Sequence, residues 1–188
     1  MEADWEFAIA AQADLAAPVI VAAWPGFVDL RGHPRRTADI PEAAHFPALA
    51  RALVQLNSPD SPVWTAKCDV WIPDAFDPDE LDAPPFQAHH ALACYIDLLP
   101  RSDQQWTFPL LIEKSCRHIC GILHAIPLRN CRADLIVRRA IVAPSEQTLA
   151  ITAYLTACGR SPSSARRNLS RALAALSATI AHQISPGE

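Results

Sequence analysis

Glycine is scarce in this chain. Only five of 188 residues are glycine (Gly26, Gly32, Gly121, Gly159 and Gly187), and none neighbours another. That excludes the glycine-rich loops that cradle phosphates, both the dinucleotide loop and the Gly-x-x-x-x-Gly-Lys loop. It also excludes the Gly-x-Ser-x-Gly elbow that presents a nucleophilic serine. Lysine is scarcer still, with Lys67 and Lys114 alone beside 14 arginines. Arginine in place of lysine, with abundant alanine and proline, points to a GC-rich bacterial source. Long apolar runs are missing as well. The longest, Leu15 to Trp24, is about half of the roughly 20 residues that span a bilayer. The first residues, Met1-Glu2-Ala3-Asp4-Trp5-Glu6, are acidic where an export signal is basic. The expectation is a cytoplasmic protein with no membrane partner.

Hydrophobic residues make up 51% of the chain and charged residues 19%, the balance of a folded protein rather than a disordered one. A single domain of this length buries about 70% of the surface its unfolded chain exposes. Such a core needs no covalent staples. The six cysteines (Cys68, Cys94, Cys116, Cys120, Cys131 and Cys158) contain no Cys-x-x-Cys pair. They read as small buried hydrophobes in a reducing compartment.

Proline sets the architecture. Thirteen of the 17 prolines lie within residues 1–109. Because proline is excluded from helix interiors and central strands, residues 1–142 are expected to be mainly sheet with one or two helices. Val63 to Ile72 is the clearest strand, with Trp64, Ala66, Cys68, Val70 and Ile72 on one face and Thr65, Lys67 and Asp69 on the other. Trp106, Phe108, Leu110 and Ile112 alternate in the same way, with Pro109 marking an edge. Ala91 to Leu99, Asp134 to Val142, Trp5 to Ile9 and Pro18 to Ala23 are further extended segments, and Trp24-Pro25-Gly26 is a turn. A helix is expected from Pro47 to Asn57.

Residues 145–184 read as a pair of helices. Ser145 caps the first and Gly159 closes it. Ser161 caps the second, Pro162 stands at its first position, and Ser185-Pro186-Gly187 stops it. Leu169, Leu173, Leu176 and Ile180 recur at heptad-like spacing. No charge occurs between Thr148 and Gly159. Helices so apolar need covering on most sides, which favours a homodimer built on this hairpin. The fold expected is therefore α+β in one domain, 1–188: a mixed or antiparallel sheet from the first half, packed against a C-terminal helical hairpin.

Charge divides along the chain. Residues 1–100 carry 15 acids and 5 bases, and residues 101–188 carry 5 acids and 11 bases. The simplest use of this asymmetry is internal, acidic half against basic half. The sharpest basic feature is Arg160, Arg166, Arg167 and Arg171 at the start of the last helix, a candidate surface for an anion or an acidic protein. Helix, glycine-containing turn and arginine-headed helix resemble a nucleic-acid reader in outline, but a pI near 5.9 argues against one. The sharpest acidic feature is Asp74, Asp77, Asp79, Glu80 and Asp82, within nine residues that include no glycine. That is a solvated contact loop rather than a calcium loop.

Three constellations could carry chemistry. Cys116, Cys120 and His124 step four residues at a time along a helix and form the most metal-like set. The outer two lie about 12 Å apart along the axis, too far to share one ion, so a core stripe is the stronger reading. His89 and His90, with Cys94 and Asp97, bring imidazole, thiol and carboxylate into nine residues. Asp69, Asp97 and Glu113, with Lys114, could build the carboxylate site of a small, metal-dependent hydrolase. None of these patterns requires a cofactor. The balance favours a non-catalytic accessory protein whose acidic loop and arginine-headed helix contact partners. The small hydrolase and the nucleic-acid binder are its rivals.

Overall fold

Four prolines open four helices, and the segments between them pair into one sheet. The computed structural model describes residues 1–9, 19–102, 106–143 and 146–181. Strands β1 (Glu2–Phe7) and β2 (Ile20–Val21) come first, followed by a short 3-10 turn over Pro34–Asp39. Then come helices α1 (Pro41–His45) and α2 (Pro47–Leu56) and strands β3 (Val63–Trp71) and β4 (His90–Pro100). The chain continues through α3 (Pro109–Ala125), β5 (Cys131–Ala143), β6 (Glu146–Gly159) and α4 (Pro162–Ala181). A proline at the first helical position gives up a donor that has no partner there anyway, and its fixed φ suits the helix.

The sheet runs β1-β5-β6-β4-β3. β1 lies parallel to β5, and β2 continues along the same side of β5. Every other pairing is antiparallel. Helices α3, α4 and α2 lie side by side on one face, α3 over β1 and α2 towards β3. Their apolar stripes, including Ile119, Leu123, Leu49, Leu53, Leu169 and Leu173, meet the inward residues of the central strands in the main core. The architecture is thus α+β, a mixed sheet packed against the C-terminal helix.

The other face of the sheet is only partly roofed. At one end Ile20 and Ala22 pack on Trp64, Leu99, Ala140 and Ala150, helped by Phe27. The turn that brings Phe27 there is the expected one. Its N–H donates to the Trp24 carbonyl at 2.9 Å, with Gly26 at φ +90°, which favours glycine. At the other end Leu81 and Ala83 pack on Ala91 and Cys158. Between these two roofs the sheet carries polar and aromatic residues.

Several expectations need correction. Residues 146–159 form not a helix but β6, the strand at the centre of the sheet. Its apolar character is explained by burial on both faces, so the hairpin and the argument for a covering second copy both fall away. Ser145 and Ser185-Pro186-Gly187 lie outside the described residues. The second helix of the expected pair is present as α4, and the Ser164 N–H donates to Ser161 Oγ at 3.2 Å in the cap. Residues 106–112 are not a strand. Pro109 starts α3, Trp106 and Ile112 reach the core, and Phe108 and Leu110 stand exposed. In β3 the register shifts between Thr65 and Cys68. Trp64 and Ala66 therefore face the partly roofed side, while Cys68 and Val70 face the helices. One inserted residue turns every later side chain over. No helix among the described residues is long and apolar enough to cross a membrane.

Candidate interaction groove

β3 is an outer strand, so among the described residues one of its edges has no neighbouring strand. Asn57 closes the first part of that edge. It is buried at the end of α2, its Oδ1 accepts the Thr65 N–H at 3.1 Å, and its Nδ2 donates to Thr65 Oγ1 at 2.7 Å and to the Leu53 carbonyl at 2.8 Å. Beyond the bulge the edge opens into three successive hollows. The first, 330 Å³, lies over residues 66–69, between Trp24 and the Ile40–Glu42 segment. The second, 430 Å³, lies between α1 and residues 70–72, where Phe46 and Leu92 form apolar walls. The third, 660 Å³, runs over residues 72–76 to His89, His90 and the start of α4.

Neighbouring hollows share residues. Pro41 and Glu42 line the first two, and Ile72, Leu92 and Arg166 line the last two. Together they make one groove that follows β3 for about 20 Å from Ala66 to Ile72, at roughly 3.3 Å per residue. Ile72 is 77% exposed, a large apolar side chain held at the lip. Arg166 lies where the second and third hollows meet, at the Ile72 end of β3, its guanidinium carbon 4.6 Å from the centroid of the Phe46 ring and its Nη2 donating to the His45 carbonyl. The rim is polarised. Asp39, Glu42 and Asp69 line the first hollow beside Lys67, whereas Arg166, His89 and His90 line the last beside Asp74.

The groove meets the unroofed strip of the sheet at Trp71 and Tyr95. Trp71, Tyr95 and Tyr154 pack together, with ring centroids 5.9–6.4 Å apart. Beside them Asp97 is almost wholly buried and accepts a 2.7 Å hydrogen bond from the Thr152 hydroxyl. Burial raises its carboxyl above the ordinary carboxylate value, and the Thr152 bond, Arg138 and Lys67 only partly offset this. Arg138 donates from Nη2 to the Tyr154 hydroxyl at 3.4 Å, and its buried Nε has no hydrogen-bond partner among the described residues. Burial also pushes the Tyr95 hydroxyl up to about 12.

The three constellations named above do not assemble. Asp69 and Asp97 share the partly roofed side, but Glu113 stands on α3, across the sheet, where its Oε1 accepts from Arg117 Nη2 at 2.8 Å, and Lys114 is exposed on the same helix. His90 and Asp97 are seven residues apart on one strand, about 23 Å, and Cys94 faces the helix-side core. Cys116 and Cys120 are core residues, their thiols pushed up to about 12 and about 11 by burial. His124 is turned to β1, where its Nε2 accepts the Ala3 N–H at 3.3 Å. Among the described residues no group of three or more His, Cys, Asp or Glu side chains could hold a metal ion.

Arg160, Arg167 and Arg171 are exposed on the outer side of the α4 start, and only Arg166 of the four turns into the groove. The acidic loop folds back over the sheet. Leu81 anchors it, Asp74, Asp77, Asp79, Glu80 and Asp82 stay exposed, and Asp82 lies 3.6 Å from Arg129. Sequence reasoning missed Phe46, Ile72, Leu92 and the aromatic trio as one surface. Tyr95 and Tyr154 come together only because β4 pairs with β6, and reading residues 146–159 as helix hid that pairing. No protein-family model, curated protein or solved structure matches this chain.

Proposed function

We propose that this chain is a non-catalytic protein-interaction module that holds a partner protein in the groove along β3. The observation that carries this reading is the continuity of the three hollows, with apolar walls at Phe46 and Leu92, Ile72 at the lip and charged residues on either side. Apolar walls of this kind bury apolar side chains, and separated charges orient what is bound. The scattered carboxylates give the hydrolase reading no assembled site. The nucleic-acid reading keeps Arg160, Arg167 and Arg171, but in it the groove has no role.

Site-specific photo-crosslinking tests the proposal. A photoreactive residue placed at Ile72 is exposed to nuclease-treated extract of the source cells, with Lys114 on α3 as the control position. The expected result is discrete protein adducts at Ile72, absent at Lys114 and lost on Arg166→Glu. The same adducts at both positions, or adducts only when nucleic acid is present, would overturn it.

A further inference from the structure

We propose that the occupant of this groove is an extended peptide segment that adds to β3 as an antiparallel strand, with an acidic residue at Arg166 and a basic residue at the Asp39, Glu42 and Asp69 end. This rests on the interaction reading above and names the chemistry of the partner.

The backbone carries the first part of the inference. Three N–H groups of β3 are held by side chains instead of by a strand: Val63 by Ser61 Oγ at 3.3 Å, Thr65 by Asn57 Oδ1 at 3.1 Å and Val70 by Asp69 Oδ1 at 2.7 Å. Thr65 and Val70 stand five residues apart, an odd number. The register shift between Thr65 and Cys68 restores the parity and places both donors on the outer edge. The two caps differ. Asn57 is 2% exposed and bound three ways, so it seals its end of the edge. Asp69 is exposed and bonds its own neighbour. It satisfies the Val70 donor in water and can release it to an incoming carbonyl. By the alternation of a strand, the N–H and C=O of Cys68 and the C=O of Val70 face the same way. An added strand therefore finds several ladder positions in sequence and exchanges only one side-chain bond.

The walls carry the second part. Every other side chain of an added strand falls on the helix side, where Phe46, Val70, Ile72 and Leu92 form an apolar bed. This is the division of labour in strand addition, with backbone bonds supplying attachment and alternate pockets supplying choice. The charges give direction. Once displaced, Asp69 is free to pair with a cation beside Asp39 and Glu42, while Arg166 faces an anion at the far end. Antiparallel pairing, the more stable arrangement, then places the acid towards the N-terminus of the segment and the base towards its C-terminus.

The test is a titration of the full chain, labelled with nitrogen-15, against two panels of acetylated and amidated heptapeptides. The first panel has glutamate first, lysine sixth, threonine at the second and fourth positions, and valine, isoleucine or phenylalanine at the third, fifth and seventh, so that glutamate shares the helix side with the apolar side chains and lysine faces Asp69. The second panel has the same sequences in reverse order. The expected result is saturable binding by the first panel, at least tenfold tighter than by the second, with the Val70 amide among the most shifted signals. Val70→Pro removes the outward donor from a position where an edge strand tolerates proline, and should weaken binding at least tenfold. Ile72→Asp should weaken it similarly through the apolar bed. Binding by neither panel, or equal binding in both orders, overturns the inference. So does undiminished binding by Val70→Pro, which points to docking by side chains alone. If Val70→Pro does not fold, deuterium exchange at the wild-type Val70 amide decides instead. Protection by first-panel peptides supports strand addition, and unchanged exchange overturns it. Adducts at Ile72 alongside failure of both panels would leave the interaction reading standing and remove only the strand and its polarity.

Discussion

At the scale of single residues, Asp97 is held at a cost. The residue is 5% exposed, and the Thr152 hydroxyl donates to its carboxylate. Burial favours the protonated form, so the folded chain keeps this proton to a higher pH than the unfolded chain does. Between the ordinary carboxylate value and the raised one the folded state binds more protons, and stability therefore falls as pH rises through that window. Above it the whole penalty is present. Asp97→Asn keeps an oxygen to accept from Thr152 and removes the charge. The variant should unfold at higher urea than the wild type at about pH 7, and the gap should close on acidification to about pH 4. Urea unfolding at both pH values checks this. A variant less stable than wild type at neutral pH would show that Arg138 and Lys67 outweigh desolvation.

At the scale of elements, the junction between β6 and α4 is the tightest place in the chain. A Cβ on Gly159 would lie 2.3 Å from Ser164 Oγ and 2.7 Å from the Ala165 nitrogen. The strand therefore enters the helix cap with no room for a side chain. Gly159→Ala should destabilise the fold by about 1–3 kcal/mol, the usual effect of forcing a methyl group into packed structure. Thermal or urea unfolding reads this directly, and an unchanged midpoint would mean that the cap shifts freely. The same junction shows why part of the fold was legible and part was not. In sequence Gly159 has the position of a helix stop, but it ends β6 and starts the turn into α4. Pro162 and the leucine spacing of α4, the Pro47 helix, and the extended segments of β1, β4 and β5 were legible because each is local. β6 was not. A central strand buried on both faces shows a run of small apolar residues without alternation, and periodicity cannot separate such a run from a buried helix. The bulge in β3 is invisible for a similar reason, since nothing near Thr65 marks the extra residue.

At the scale of the whole molecule, the charge division of the sequence becomes a neighbour relation. Acidic β1 lies beside basic β5, with Asp4 3.9 Å from Arg132, and Arg132 also donates to Asp134 at 2.7 Å. These pairs are partly solvated, so they contribute about 0–1 kcal/mol each and order the surface more than they stabilise it. The groove follows from topology in the same way. Residues from five separated segments (24–28, 39–46, 66–76, 89–95 and 162–166) line it. Sequence reading found Arg166, Asp74, His89 and His90 as unrelated features, because only the fold makes them neighbours.

The most direct measurement of the central claim is a charge exchange across the groove, reading the affinities of Arg166→Glu and wild type for the two heptapeptide panels. An oriented, extended partner predicts that Arg166→Glu loses at least tenfold in affinity for the panel with glutamate first, and that the tenfold preference for that panel is abolished or inverted. Wild-type affinity and wild-type preference in Arg166→Glu would contradict the account.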